Sequence, residues 1–312
     1  MYSRSLELDE EAKFADHFPY ELHLRTDRDG LLCYQDLLLP KEGEAPEKIP
    51  AHAHLLVDRE DENEEFRDEI RSILRRIEAR KPIIYLVQGE SQELPFKLCE
   101  RFRRFTLQES FKKSNKVWVE SQVLKKTIEM PRKKHYARKH KALDVLKEGL
   151  VEELGLEDVT ADQIRDFQGK ELTLLLDKHL QVIYLQHNLY AGDWDPAHSP
   201  KVLTEYLGDF WDTTLPENCP DIVLVLGLKY AKPTGLLSWR KKPDLRIPQA
   251  FAGLAAVLEL LKPIEKEEVE KWKDKYASDD PGLSDRIFKK DNPIPMETIL
   301  PLLEAEVQAR RR

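Results

Sequence analysis

The residues best placed to do chemistry in this 312-residue sequence follow three apolar runs. The first run, Ile83-Ile84-Tyr85-Leu86-Val87, leads into Gln88-Gly89-Glu90-Ser91-Gln92-Glu93-Leu94-Pro95-Phe96-Lys97. A strand, a glycine and a helix start are how a nucleotide-binding P-loop opens. Such a loop needs glycines so that backbone N–H groups wrap the phosphates, a Lys for the β and γ oxygens, and Ser or Thr for Mg²⁺. Here Gly89 is the loop's one glycine. Where Gly-Lys-Ser/Thr would fall, Glu93-Leu94-Pro95-Phe96 offers a carboxylate, apolar groups and no hydroxyl. Glu90 and Glu93 would repel phosphate, and Lys97 falls a turn too late. A helix N-terminus still attracts anions weakly, but that alone is not a triphosphate site.

Phosphoryl transfer also needs an acid for Mg²⁺ at the end of a second strand. The run Val182–Leu185 instead leads into Gln186-His187-Asn188, and Mg²⁺ takes amide and imidazole groups poorly. Asp193 and Asp195 follow in YAGDWDPAHSP, which reads as a polar loop before a helix. The run Ile222–Leu228 leads into Lys229-Tyr230, where Lys229 could touch a phosphate or simply be a solvated lysine. Phosphoryl-transfer catalysis is mainly charge stabilisation around Mg²⁺, so both departures argue against ATP or GTP hydrolysis.

Other chemistries find less support. There is no G-x-S-x-G elbow, and His187 with Asp193 or Cys219 makes no triad that spacing supports. His135 and His140 sit in a basic run, with the wrong charge for a metal. Cys33, Cys99 and Cys219 lie far apart, which suits reduced thiols better than a metal or disulfide framework. No cofactor and no metal are expected.

The net charge is −8, but from Lys112 to Lys141 eleven Lys/Arg face two Glu, a local balance of +9 that leaves −17 elsewhere. KKTIEMPRKKHYARKHK, Lys125 to Lys141, carries Arg132, Lys133, Lys134, Arg138, Lys139 and Lys141 around Tyr136. Such a run can be a solvated helix start, a dock for an acidic protein surface, or a phosphate contact. No nucleic-acid-binding motif accompanies it, so nucleic acid is the weakest of the three.

The elements that position these residues alternate. YELHLRTDRDGLLCYQDLLLP, with a turn at Asp29-Gly30, predicts a β-hairpin, and Lys41 to Pro50 a linker. After it come a short strand at His54–Val57 and an amphipathic helix over Glu62–Arg80 with Phe66, Ile70, Ile73, Leu74 and Ile77 on one face. The strand Ile83–Val87, a helix from Leu94 to Phe105 and a strand starting at Val117-Trp118-Val119 follow. A helix with Leu143, Leu146, Leu150 and Leu154 on one face is closed by Gly155 in the left-handed conformation. Leu172–Leu176 reads as a strand or a helix end. Ser199-Pro200 opens a helix, Ser as N-cap, whose apolar face is Val202, Leu203, Tyr206, Leu207, Phe210 and Trp211. Phe251 to Leu261 reads as helix, and the chain beyond Pro263 as charged and mostly helical. Short apolar strands separated by helices predict a three-layer α/β fold: a mostly parallel sheet with helices on both faces, P-loop-NTPase-like in layout. Ligands in such folds gather at the carboxyl ends of the strands. The divisions expected are an extension over 1–50, the α/β domain over 51–275 and a charged helical extension over 276–312. No stretch reaches the roughly 18 consecutive apolar residues of a membrane span, and MYSRSLELDEE has no apolar signal region, so a cytoplasmic location is expected.

Three segments in this order resemble one family, the inactive STAND (iSTAND) domains. They are PIIYLVQGESQELPFKLCERF, with Gly89-Glu90 where a Walker A loop would be; KVLTEYLGDFWDTTLPENCPDIVLVLGLKY; and LLKPIEKEEVEKWKDKY. The resemblance covers roughly residues 52–275. It implies a P-loop-like module of bacterial conflict and signalling systems whose phosphate-loop residues (here Gly89, Glu90, Glu93 and Lys97) and Walker B position (Gln186, His187) no longer serve catalysis. It further implies an adaptor or sensor that meets protein partners. Two alternatives stand beside it: a nucleotide-binding enzyme with a rewired site using Lys97, Lys229 and Asp193, and a nucleic-acid-binding module centred on 125–141.

Overall fold

The three long apolar runs become the three central strands of a sheet, because each is buried on both faces and so carries no polar alternation. In the computed structural model these are β3 (Ile83–Glu90), β5 (Val182–Tyr190) and β6 (Asp221–Tyr230). The structure describes residues 20–26 and 32–40 (backbone alone), 49–57, 59, 64–68, 70–71, 81–113, 118–136, 139–156, 159, 163, 167–169, 171, 175, 179–211, 215, 219–231, 246–288 and 292–311. Near the N-terminus, β1 (Tyr20–Thr26) and β2 (Leu32–Pro40) pair antiparallel, with a register shift between Leu22 and Leu24. This is the expected hairpin; its Asp29-Gly30 turn lies outside the described residues. Residues 1–50 and 51–310 are separate compact units.

The second unit is built on a five-stranded sheet in the order β4-β5-β6-β3-β7, with β4 at Val123–Glu129 and β7 at Ala256–Leu260. Every neighbouring pair is parallel. Successive side chains point to opposite faces. Leu86, Ile183, Leu185, Leu224 and Leu226 enter one core, with Leu146, Leu150, Tyr206 and Trp211. Tyr85, Val87, Val182, Tyr184, Val223 and Val225 enter the other, with Phe66, Leu98, Phe102 and Phe111. The fold is therefore the expected three-layer α/β arrangement, with β3 inside the sheet at the point where the strand order reverses.

Helices α1 (Pro95–Arg101) and α2 (Leu107–Lys113) are joined by the π-helical turn Phe102–Thr106 and follow β3. After β4 come α3 (Lys133–Tyr136) and α4 (Lys139–Leu154). Gly155, at φ +70°, ends α4 as predicted. After β5, α5 (Ser199–Leu203) runs into a π-helical segment, Thr204–Phe210. The six apolar residues expected on its inner face, Val202 to Trp211, are all buried. The chain closes with α6 (Arg246–Gln249), α7 (Lys266–Tyr276), α8 (Leu283–Ile287) and α9 (Met296–Arg311). No described helix is long and apolar enough to cross a membrane.

Several elements differ from the sequence reading. His54–Val57 is not a strand; Ala53–Leu56 is a 3₁₀ turn buried at Ala53, His54 and Leu55. Of the strand start expected at Val117-Trp118-Val119, Trp118 and Val119 are not in a strand and Val117 lies outside the described residues; β4 starts at Val123. VLKKTIE is only half-buried along most of its length, so it lacks the apolar run that marks a central strand. Phe251–Leu261 is a turn followed by edge strand β7, whose Val257 and Glu259 are exposed. Ser199 is the first residue of α5, not its cap, and its buried hydroxyl accepts the Asp195 N–H at 2.9 Å. The 62–80 helix is described at 64–68 and 70–71, where Phe66 and Ile70 are buried; Ile73, Leu74, Ile77 and most of Leu172–Leu176 lie outside the described residues.

Gly227 in β6 fixes how closely α1 packs on the sheet. A Cβ there would stand 2.5 Å from Cδ1 of Phe96. Gly227→Ala is expected to cost about 1–3 kcal/mol in urea unfolding, the usual range for overpacking, and Phe96→Ala in the same chain to lessen that penalty. Simple additivity of the two losses would show that the ring does not set the spacing.

Candidate functional site

The carboxyl ends of β4, β5 and β6 meet α1 around an open cleft of about 400 Å³. Strand register decides which predicted residues reach it. Gln186 pairs with Thr127, and Asn188 with Glu129 and Gly227, all on the α1 face. In the last row Lys229 stands between Tyr190 and Gly89. Gln186, Asn188, Thr127 and Lys229 line the cleft with Phe96, Lys97, Glu100 and Arg103.

The strand that was expected to end near Gln186-His187 continues to Tyr190, because Gln186 and Asn188 find partners in the sheet's end. Gln186 Nε2 donates to Asn188 Oδ1 at 3.0 Å, and Asn188 Nδ2 donates to Glu129 Oε1 at 2.8 Å. Each of these two buried amides thus donates to a neighbouring side chain at the sheet's end. His187 therefore does not share a site with Gln186. It points into the opposite core, fully buried, with Nε2 2.8 Å from the Tyr206 hydroxyl. Burial, slightly opposed by the Leu185 backbone, holds its pKa down at about 4.

Of the loop residues, Gly89 belongs to β3 and packs against Leu261, whose Cβ would lie 3.2 Å from a Cβ at this position. Glu90 ends the strand half-buried and accepts a hydrogen bond from Gln92 Nε2. Glu93 is the loop's buried charge. Its Oε2 accepts from Arg59 Nη2 at 3.2 Å and from the Met296 N–H at 3.4 Å. Burial raises its pKa, and Arg59 and the Met296 N–H only partly offset that rise. Met296 is the first residue of α9, so the carboxylate caps a helix from the far end of the chain. Both sides of this contact have left-handed backbone at a non-glycine residue: Arg59 at φ +78° and Leu94 at φ +50°. Left-handed backbone costs roughly 1–2 kcal/mol per residue, so the packing around it holds the loop in place.

Lys97 lies in the first turn of α1, and its Nζ is 2.8 Å from Glu100 Oε2. Arg104 Nε holds the other oxygen at 2.9 Å. Burial alone would raise the Glu100 carboxyl, but these two hydrogen bonds outweigh it and hold the pKa below the ordinary value. Lys229 Nζ lies 5.8 Å from the ring centre of Phe96 and 5.9 Å from that of Tyr190. The rings themselves meet edge to face at 5.4 Å. Asp193, on the 3₁₀ turn Ala191–Asp193, accepts the Lys133 N–H at 3.4 Å instead of joining Lys97 and Lys229. Arg132, Lys133 and Lys134 are exposed; Arg138 and the side chains of Lys139 and Lys141 lie outside the described residues. Lys125 and Lys126 sit in β4 and pair with Glu120 and Glu153. Among the described residues no three His, Cys, Asp or Glu side chains gather as a metal site.

Sequence reasoning missed Asn188, Glu129, Thr127, Phe96, Arg103 and Arg59. The period-two polar pattern Gln186, Asn188, Tyr190 was the available signal for the first of these. Arg59 gave none, because its partner lies 34 residues away.

A parallel sheet of this order, with a strand–loop–helix corner at β3 and a cleft above it, defines a P-loop-like α/β module. The sequence profile of the inactive STAND family (iSTAND) matches residues 54–226, more than half of the chain. The chain belongs to that family. No curated protein sequence matches it. Solved structures with a similar chain path include the Drosophila ORC bound to DNA, at 12% identity and TM-score 0.44, covering 96% of this chain and 67% of that one. ORC1 of Aeropyrum pernix in complex with DNA matches at 14% identity and TM-score 0.41, covering 84% and 65%. Cdc6p from Pyrobaculum aerophilum matches at 12% and 0.40, covering 86% and 64%. The chain spans less than two thirds of the length of the two archaeal proteins.

Glu93→Ala would leave Arg59 buried without its carboxylate and α9 without its cap. The expected loss is about 3–5 kcal/mol in chemical unfolding, whereas replacing both partners, Glu93→Leu with Arg59→Met, should cost much less. A single-variant loss below about 1 kcal/mol would show that the pair is incidental. His187 gives a pH prediction. Its folded pKa of about 4 lies below the ordinary histidine value of 6.5, so the unfolded chain binds the proton more readily. The resulting stability is present above the unfolded pKa and is lost as pH falls toward the folded one, by about 2 kcal/mol between pH 7 and pH 5. Denaturation at both pH values should show this loss shrinking in His187→Phe; an equal loss in the variant would assign it elsewhere.

Proposed function

We propose that this protein is a non-hydrolysing P-loop-like module that works by meeting other proteins, an adaptor or sensor in a bacterial conflict or signalling system. The observation that carries the reading is what occupies the phosphate-loop corner. Glu93 is committed to Arg59 and to the N-terminus of α9, and Phe96 covers Gly227. A phosphate brought to this corner would meet a fixed carboxylate and an aromatic ring rather than a cradle of free N–H groups. The degenerate positions proposed from the sequence, Gly89, Glu90, Glu93 and Lys97 on the loop and Gln186 on β5, agree with this. So does membership of a family described as inactive. The rewired-site alternative would need Lys97, Lys229 and Asp193 together, but Lys97 is paired with Glu100 and Asp193 faces Lys133.

The full chain with excess MgATP or MgGTP is expected to release no more phosphate than buffer and to keep its melting temperature. A site filled a hundredfold over its Kd would add about 2.7 kcal/mol of stability, which a thermal shift would register. Phosphate release that disappears in Lys97→Ala or Asp193→Ala would overturn the reading.

A further inference from the structure

The strand-end cleft and the basic loop after β4 form one continuous surface. The Lys133 N–H reaches Asp193 at the end of the β5 turn. Asp193 and Glu129 stand close enough to Tyr190 to add to the upward shift that burial gives its phenol. Tyr190 is in register with Lys229, whose ammonium lies over the Tyr190 and Phe96 rings. The Lys229 ammonium thus sits on an aromatic lip, and the backbone of the basic loop is tied to the turn that follows it.

Charge and chemistry on this surface suit a particular occupant. Among the described residues, Lys97, Arg103 and Lys229 line the cleft with one carboxylate, Glu100, which already holds Lys97 and Arg104. Arg132, Lys133 and Lys134 are exposed on the segment whose Lys133 N–H reaches Asp193. The rest of the chain is strongly acidic, so this edge stands out as a local positive field, the arrangement that steers and orients an acidic partner. Tyr190 is 40% exposed, a large ring kept in water at the rim of a cleft. Aromatic residues so placed are the usual anchors of protein contacts. A volume of about 400 Å³ admits a few side chains rather than a folded domain. Glu129, exposed at the cleft's edge, and Asp193 interrupt the basic groups. A nucleic-acid backbone, with charge at every step, would meet that interruption; a peptide with spaced carboxylates would not.

We propose that this surface binds an acidic peptide segment of a partner protein, its carboxylates on Lys229 and Lys133 and an apolar side chain between them against Phe96 and Tyr190. The proposal rests on the reading of the module as a protein-contact device, but its test is independent of ATP turnover. The full chain is applied to an array of short peptides with Glu spaced around Leu, Phe or Trp, each beside a twin with Gln for Glu. Acidic peptides should retain the chain and their twins should not. The Kd of the best peptide, read by fluorescence anisotropy, should weaken about tenfold in Lys229→Ala and in Lys133→Glu, with circular dichroism unchanged, and should weaken as salt rises. Retention no better on acidic peptides than on twins would overturn the proposal, as would unchanged Kd in both variants. Displacement of the peptide by a DNA oligonucleotide of lower Kd would overturn it in favour of nucleic acid. A wild-type dimer in light scattering that Lys229→Glu makes monomeric would overturn it in favour of a second copy.

Discussion

A carboxylate buried at the end of β3 ties three distant parts of this chain together. Glu93 receives Arg59 from the segment before the first central strand and the N–H of Met296 from the last helix. Removing two charges from water costs several kcal/mol for each ion, recovered only when geometry and hydrogen bonds are good. The contact therefore makes the positions of α9 and of residue 59 mutually dependent. A second long-range bond works beside it: Trp272 Nε1–H of α7 donates to the Ala53 carbonyl at 2.8 Å. In a P-loop the comparable corner is held open for a phosphate that arrives from solution. Here the negative charge is part of the chain, and the helix N-terminus it satisfies is internal.

The cleft above this corner is a consequence of strand alternation. Once β5 extends to Tyr190, Gln186, Asn188 and Tyr190 must share one face, and Leu185, His187 and Leu189 the other. The first set meets α1 and solvent. The second set meets Tyr206 and its neighbours, which is why His187 is neutral and structural. The glycine at 227 then lets the Phe96 ring approach β6, and that ring provides one side of the seat for the Lys229 ammonium. Cation–π contact is worth about 0.5–1 kcal/mol at exposed sites. The same cleft geometry supports both the proposed loss of phosphate chemistry and the proposed peptide contact.

Much of the fold was legible. Three continuous apolar runs gave the central strands, the 3.6-residue pattern gave the helices after β4 and β5, and Gly155 marked a helix end. The edge strands were not legible, because β4 and β7 are half-covered and mix Lys and Glu with apolar residues. Strand lengths were misjudged for a related reason. Gln88, Gly89, Gln186 and Asn188 look like loop residues until their partners across the sheet are known, such as Gln88 donating to the Leu258 carbonyl at 3.0 Å.

The sequence by itself determined the class of fold, since that depends on residue type and local spacing, and its loop residues prompted the proposal that no triphosphate is held. The tertiary structure decided what those residues do instead. The Arg59–Glu93 pair, the sharing of Asn188 with Glu129, the assignment of His187 to the core and the seat of Lys229 all join positions far apart in the chain. Such pairings follow from strand order and register, which no local pattern specifies.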